Sequence, residues 1–170
     1  RAENVRLTNG DWPPFQSQDL EGYGMVSKVV TQAFAEVGVN VEYGFFPWAR
    51  ALKLAEAGHW DGTFAWSASA ERNRKFFISD PLFVSTDRFF HRKGEGFDWN
   101  GYEDLSGLRV GIPTGYFYGK AFHEAADAGR FILDVAGNDY DNLRKLLLGR
   151  IDLFPLNDRV GWHIISERFT

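Results

Sequence analysis

An α/β fold of two lobes is predicted by three observations. Strand-like and helix-like segments alternate from the first residues, helical stripes end at glycines, and the alternation restarts midway along the chain. The first strand falls at residues 5–8. Over residues 25–37, Met25, Val26, Val29, Val30, Ala33, Phe34 and Val37 recur at helical spacing, and Gly38 supplies the stop. Val39, Val41, Tyr43 and Phe45 then alternate as in a strand, and residues 48–57 return to a helical pattern that ends at Gly58. A buried central strand follows at residues 62–66, opening into a polar loop at Ser67 and Ser69. Strand-helix-strand repetition of this kind builds largely parallel sheet with right-handed crossovers.

A long extended segment runs from Phe83 to Arg92 into Lys93-Gly94-Glu95-Gly96, and this change in composition marks the boundary between lobes. Residues 1–92 form the first lobe, with a hinge strand near 84–92, and residues 93–170 form the second. In the second lobe, residues 108–112, 131–135 and 151–156 read as short strands, separated by helices near 118–128 and 139–148. The chain stops at Thr170 inside or just after a further helix.

With 170 residues, 44% hydrophobic and 16% aromatic, the chain buries a real core. The net charge of −4, from 19 basic and 23 acidic residues without a basic block, argues against a nucleic-acid partner. Absence of cysteine excludes disulfide and thiolate chemistry. No apolar run reaches the roughly 20 residues needed to cross a bilayer. No signal peptide is visible at Arg1, so the expectation is a mature chain from which any leader has been removed.

The stretch Asp61 to Pro81 concentrates the functional signals. A strand runs into Ser67 and Ser69, a short helical turn carries Arg72, and Phe77-Ile78-Ser79-Asp80-Pro81 closes it. Ligands of open α/β sheets sit at the C-terminal ends of strands. A guanidinium held on an ordered turn grips a carboxylate bidentately. The alternative is a solvated face of Arg72, Arg74 and Lys75 with Glu71. Ser69 either adds a hydroxyl to the same site or caps the turn.

Ser69-Ala70-Glu71-Arg72, the segment closing at Pro81, and Pro13-Pro14-Phe15 near the start occur in one order. Together they resemble the bacterial extracellular solute-binding proteins of the polar amino-acid type, family 3. The likeness continues through residues 103–111 and ends at Leu148-Gly149-Arg150-Ile151-Asp152. It implies a two-lobed periplasmic-binding-protein-like fold of type II, each lobe a largely parallel sheet flanked by helices, with the C-terminal return segment missing. It also implies capture of a small carboxylate-bearing solute, an amino acid or a derivative, by a monomer in the periplasm. Hinge closure of the lobes and delivery to an ABC permease in the inner membrane follow from the same resemblance. A ligand-sensing domain of a receptor kinase or cyclase, or a cyclohexadienyl-dehydratase-like enzyme, are the alternatives within that resemblance.

The resemblance places Trp12 and Trp48 where aromatic rings sandwich a ligand, although both also suit a core. Trp66 narrows the pocket. Tyr116, Phe117 and Tyr118 fall in a strand-to-helix turn whose backbone amides complete the carboxylate site, with packing as the other role for the tyrosines. Asn157 stands where amino-acid binders place an ammonium-binding acid, and Asp158 reaches that position only through a bulge, for example at Pro155. Asparagine accepts a hydrogen bond but does not neutralise an ammonium, so the ligand type is open. The span from Asp61 to Arg72 is also one residue shorter than in the family.

No enzyme signature, metal site or cofactor motif is read. His59, His91, His123 and His163 are scattered without ligand spacing, and Gly22-Tyr23-Gly24 lacks the third glycine of a dinucleotide loop.

Overall fold

Strand β1 (Glu3–Asn9) is the central strand of a three-stranded parallel sheet, flanked by β2 (Val39–Phe45) and β3 (Gly62–Thr63) in the order β2-β1-β3. In register, Leu7 lies beside Tyr43 on one side and Gly62 on the other. The computed structural model describes residues 3–169. Arg1, on which the expectation of a removed leader rests, lies outside the described residues.

Between the strands run α1 (Met25–Ala35) and α2 (Trp48–Glu56). Helix α1 turns Val26 and Val30 inward but leaves Met25 and Val29 exposed, so the apolar stripe in the sequence is wider than the face it buries. The buried Thr8 hydroxyl donates to the Ala51 carbonyl of α2 at 2.8 Å, fixing that helix against the central strand. Strand β3 is shorter than the expected 62–66. Ala65 adopts φ +62°, a left-handed conformation that lifts the chain off the sheet after Phe64. Helix α3 (Ala70–Lys75) follows, with the Ser69 hydroxyl capping it by accepting from the Arg72 amide at 3.2 Å.

The chain divides into two compact units between Val84 and Ser85. In the second unit, β4 (Asp87–Phe90) pairs antiparallel with β7 (Phe154–Asn157), and β5 (Arg109–Pro113) pairs parallel with β6 (Ile132–Ala136). A parallel bridge between Val110 and Leu153, with the Gly111 amide donating to the Leu153 carbonyl at 2.9 Å, joins β7 to β5. The spatial order is therefore β4-β7-β5-β6. Helices α4 (Lys120–Asp127), α5 (Asp139–Leu147) and α6 (Asp158–Arg168) complete the unit. Leu105, Val110, Ile112, Phe122, Phe131 and Leu153 form its core.

Two sequence expectations change here. The segment 85–92, which composition groups with the first lobe, lies in the second unit: β4 is bonded to β7, and Arg92 donates to the Leu146 and Ile151 carbonyls at 2.8 and 2.6 Å. The register of β7 against β4 runs unbroken from Phe154↔Phe90 to Asn157↔Asp87, so no bulge at Pro155 shifts Asp158 into the place of Asn157. Because β4 runs opposite to its neighbours, its N-terminal residue Asp87 shares one sheet edge with the C-terminal ends of β5, β6 and β7. That is the edge at which open α/β sheets receive ligands.

Candidate functional site

In the first unit, Arg72 projects from α3 with its guanidinium over the Trp66 ring, 4.7 Å from the centroid, and donates to the Ser67 carbonyl at 2.7 Å. A stacked guanidinium keeps a flat, oriented fork of donors. The Trp66 ring is itself fixed, since its Nε1 donates to the Thr63 hydroxyl at 2.8 Å and its edge meets Trp48 at 5.0 Å and 90°. Trp48 is anchored in turn by Nε1 donating to the Asp11 carbonyl at 3.2 Å. Any side chain at Gly10 would collide with this ring, because a Cβ there lies 2.5 Å from it. The left-handed Ala65 sits immediately before Trp66, inside the shortened span between Asp61 and Arg72.

Trp48, Trp66, Ser67 and Arg72 are thus brought together. Ser67 is exposed beside Arg72, whereas the Ser69 hydroxyl is engaged as a cap. Trp12 is a core residue, 5% exposed, packed against Phe15 and Phe83 at 4.7 and 6.1 Å. Burial lowers the Arg72 pKa and the neighbouring Glu71 partly offsets this; the group stays cationic.

In the second unit, the turn between β5 and α4 carries the three aromatics. Tyr118 donates its hydroxyl to the Pro155 carbonyl at 2.6 Å and packs on Phe122. Phe117 stacks flat on His123 at 5.2 Å, and Tyr116 lies 5.0 Å from Tyr118. Burial, followed by the charges of Asp139 and Asp87, raises the pKa of Tyr116, so its hydroxyl remains neutral. Asn157 is 3% exposed and fully used: its Oδ1 accepts from the Arg159 and Val160 amides, capping α6, and its Nδ2 donates to the Ser85 hydroxyl and the Thr86 carbonyl. Asp158 pairs with Arg88 at 3.1 Å and accepts from the Arg159 amide at 2.8 Å.

Sequence reasoning missed Asp139 and Asp87. Asp139 opens α5, and its Oδ1 is shielded from solvent without a hydrogen-bond partner. Burial, then the charge of Asp87, pushes its carboxyl up to about 7. The only sequence signal was an acid following the Asn138 cap, which reads as an ordinary helix N-terminus. Among the described residues, no group of three or more His, Cys, Asp or Glu is arranged to hold a metal ion.

A family profile described as "Bacterial extracellular solute-binding proteins, family 3" matches residues 5–157. Among solved structures, the chain is similar to an ancestral arginine-binding protein bound to arginine, at 21% identity and a TM-score of 0.80, covering 100% of this chain and 76% of that one. It is similar to a histidine kinase sensor domain with similarity to periplasmic binding proteins, at 25% identity and a TM-score of 0.82, covering 99% and 74%. An ancestral amino-acid-binding protein described as a precursor of cyclohexadienyl dehydratase matches at 20% identity and a TM-score of 0.75, covering 96% and 75%. The comparison with curated proteins returned no match.

Proposed function

Because the chain belongs to the bacterial extracellular solute-binding proteins, family 3, we propose that it captures a small carboxylate-bearing solute, an amino acid or derivative, for an ABC-type importer. Family and fold are those of extracytoplasmic binding proteins, in the two-lobed arrangement of type II, rather than of enzymes. The compartment proposed is the periplasm, and the partner an inner-membrane permease.

The observation that carries this reading is Arg72, held over Trp66 and tethered to the Ser67 carbonyl. An arginine restrained in this way gives up little freedom when it pairs with a carboxylate, so more of the ion-pair energy appears as affinity. Trp48 and Trp66 supply flat apolar surface beside it, and Ser67 a hydroxyl. Tyr116 and Phe117 are proposed ligand neighbours from the second unit. Ser69 and Trp12 serve the framework of the first unit, and Asn157 and Asp158 that of the second.

The test is a thermal-shift screen of amino acids, di-acids, polyamines and small peptides, followed by calorimetry on each hit with wild type and Arg72→Ala. Loss of carboxylate-ligand binding at least about a hundredfold, with the melting temperature of the free protein nearly unchanged, is the expected result. Equal affinity in the variant overturns the reading.

Likeness to the kinase sensor domain favours a second reading, in which the same domain senses the solute for a membrane receptor. Liganded protein that stimulates ATP hydrolysis by its permease in vesicles supports import. Ligand-dependent autophosphorylation of a kinase carrying this domain supports sensing.

A further inference from the structure

We propose that His123 is the positioning residue of the turn that carries Tyr116 and Phe117, holding it through an unprotonated ring nitrogen, so that uptake of one proton by this imidazole releases the turn and weakens solute capture. The last step rests on the reading above, in which that turn neighbours the ligand. The first two belong to the second unit alone.

The first observation is the direction of one hydrogen bond. The Tyr118 amide donates to His123 Nε2 at 3.3 Å. A backbone N–H has no lone pair to offer, so this nitrogen is the acceptor and the ring proton sits on Nδ1. His91 makes the opposite kind of contact, with Nδ1 against the Arg92 carbonyl at 3.1 Å, and protonation leaves such a bond in place. At His123 protonation abolishes it.

The second observation is that nothing else serves the Tyr118 amide. Among the described residues no backbone carbonyl accepts from it, and Gly119, which caps α4, brings no side-chain oxygen. Other amides of the turn are held by the backbone, Thr114 donating to the Ala136 carbonyl at 2.9 Å and Tyr116 to the Pro113 carbonyl at 3.2 Å. The fourth residue of α4 thus supplies the acceptor that the turn lacks.

The third observation is how the ring is held. Its face lies on Phe117, with 5.2 Å between centroids and 7° between planes, and Phe122 meets it at 5.4 Å and 80°. An imidazolium keeps that stack, because a cation is attracted to an aromatic face. The protonated ring therefore stays while Nε2 turns from acceptor to donor, and two N–H groups face each other. It is the backbone that gives way. Phe117 adjoins Tyr118 in the chain, and the Tyr116 ring lies 5.0 Å from that of Tyr118, so both proposed ligand neighbours feel the change. The ionisable groups around the ring are few. On α4, Lys120 and Glu124 pair with each other at 3.3 Å and Asp127 lies one turn on; from the turn come Tyr116 and Tyr118, which burial keeps neutral and on which Asp139 and Asp87 act by charge.

Nitrogen NMR of the imidazole rings and amides on the full, unliganded chain tests the first two steps, with the His123 signals assigned by their loss in His123→Gln. At about pH 8 the expected form carries its proton on Nδ1 and none on Nε2. On acidification the Tyr118 amide signal is expected to move with the midpoint of the His123 nitrogens. A proton on Nε2 at about pH 8, or a Tyr118 amide indifferent to that midpoint, overturns the inference. Calorimetry with L-arginine and L-glutamine reads the last step, and wild-type affinity is expected to fall about fivefold or more across the same midpoint. His123→Phe, which keeps the stack but offers no acceptor, is expected to bind about fivefold or more weakly at every pH. His123→Gln, whose amide oxygen accepts and takes up no proton, is expected to restore affinity to within about threefold and to remove the acid step. An acid step kept in His123→Gln, or equal binding by all three proteins, overturns the link to capture. Failure of both probes to bind wild type likewise overturns that link, while the nitrogen spectra decide the role of His123 without ligand and Arg72→Ala reports separately on carboxylate capture.

Discussion

At the scale of single residues, Arg72 in the first unit and Asp139 in the second differ in how their surroundings prepare them. Arg72 is preorganised by contacts already made, with Trp66 beneath its guanidinium and the Ser67 carbonyl at one nitrogen. Lysine lacks the planar fork, so Arg72→Lys is expected to recover little of the affinity lost in Arg72→Ala, as calorimetry would show. Asp139 is prepared in the opposite sense, by a burial that no partner offsets. An aspartate whose pKa is about 7 in the fold, against about 4 when unfolded, binds its proton more tightly in the native state. The fold is therefore most stable with that group protonated and loses stability as pH rises from about 4 to about 7. Asp87 from β4, itself raised by burial, pushes it in the same direction, and the charge of Asp139 in turn raises Tyr116 and Tyr118 of the β5–α4 turn. Asp139→Asn should raise stability at pH 8 by about 1 to 4 kcal/mol, with the gain shrinking toward zero near pH 4 in denaturant titrations. A gain that is constant with pH would refute the assignment. The sequence showed Arg72 because a Ser-x-x-Arg turn after a strand is a local pattern. It hid Asp139 because an unpaired oxygen is a property of the assembled edge, and an acid after a capping asparagine is commonplace.

At the scale of elements, Asn157 illustrates how a position can match a family site and still serve the fold. It is the last residue of β7, the cap of α6, and the partner of Ser85 and Thr86 ahead of β4. Asn157→Ala removes the cap and both Nδ2 bonds from a buried site, and should lower unfolding free energy by about 2 kcal/mol. Asn157→Ser, which retains a capping oxygen, should recover part of that loss in the same titration. Most strands and helices were readable from period and glycine stops: α1, β2 and α2 lie within two residues of where apolar spacing puts them. Strand β3 was not, because Thr63-Phe64-Ala65-Trp66 has strand chemistry throughout and only the left-handed Ala65 ends it. That turn directs Trp66 toward Trp48 and Arg72. Pairing of β4 with β7 was equally hidden, since an extended segment does not name its partner and these two are far apart in sequence.

At the scale of the whole molecule, each unit carries its own sheet and helices, and the second has a continuous apolar core from Leu105 to Leu153. Asp152 holds that unit's edge, its carboxyl raised by burial but more than compensated by the Arg109 amide and side chain and by Arg92, so that it titrates below the ordinary range. Residues 85–170 expressed alone should unfold cooperatively by circular dichroism, and a gradual transition would show that the unit depends on the rest of the chain. Tryptophans are unevenly shared between the units: Trp12, Trp48, Trp60 and Trp66 in the first, Trp99 and Trp162 in the second. Intrinsic emission therefore reports mainly on the unit that holds Arg72. A carboxylate that pairs with the guanidinium where it stands over the Trp66 face offsets the positive charge above that indole, so the cation-stacked ring gives the protein a label-free optical signal of occupancy, one that Trp66→Phe should silence.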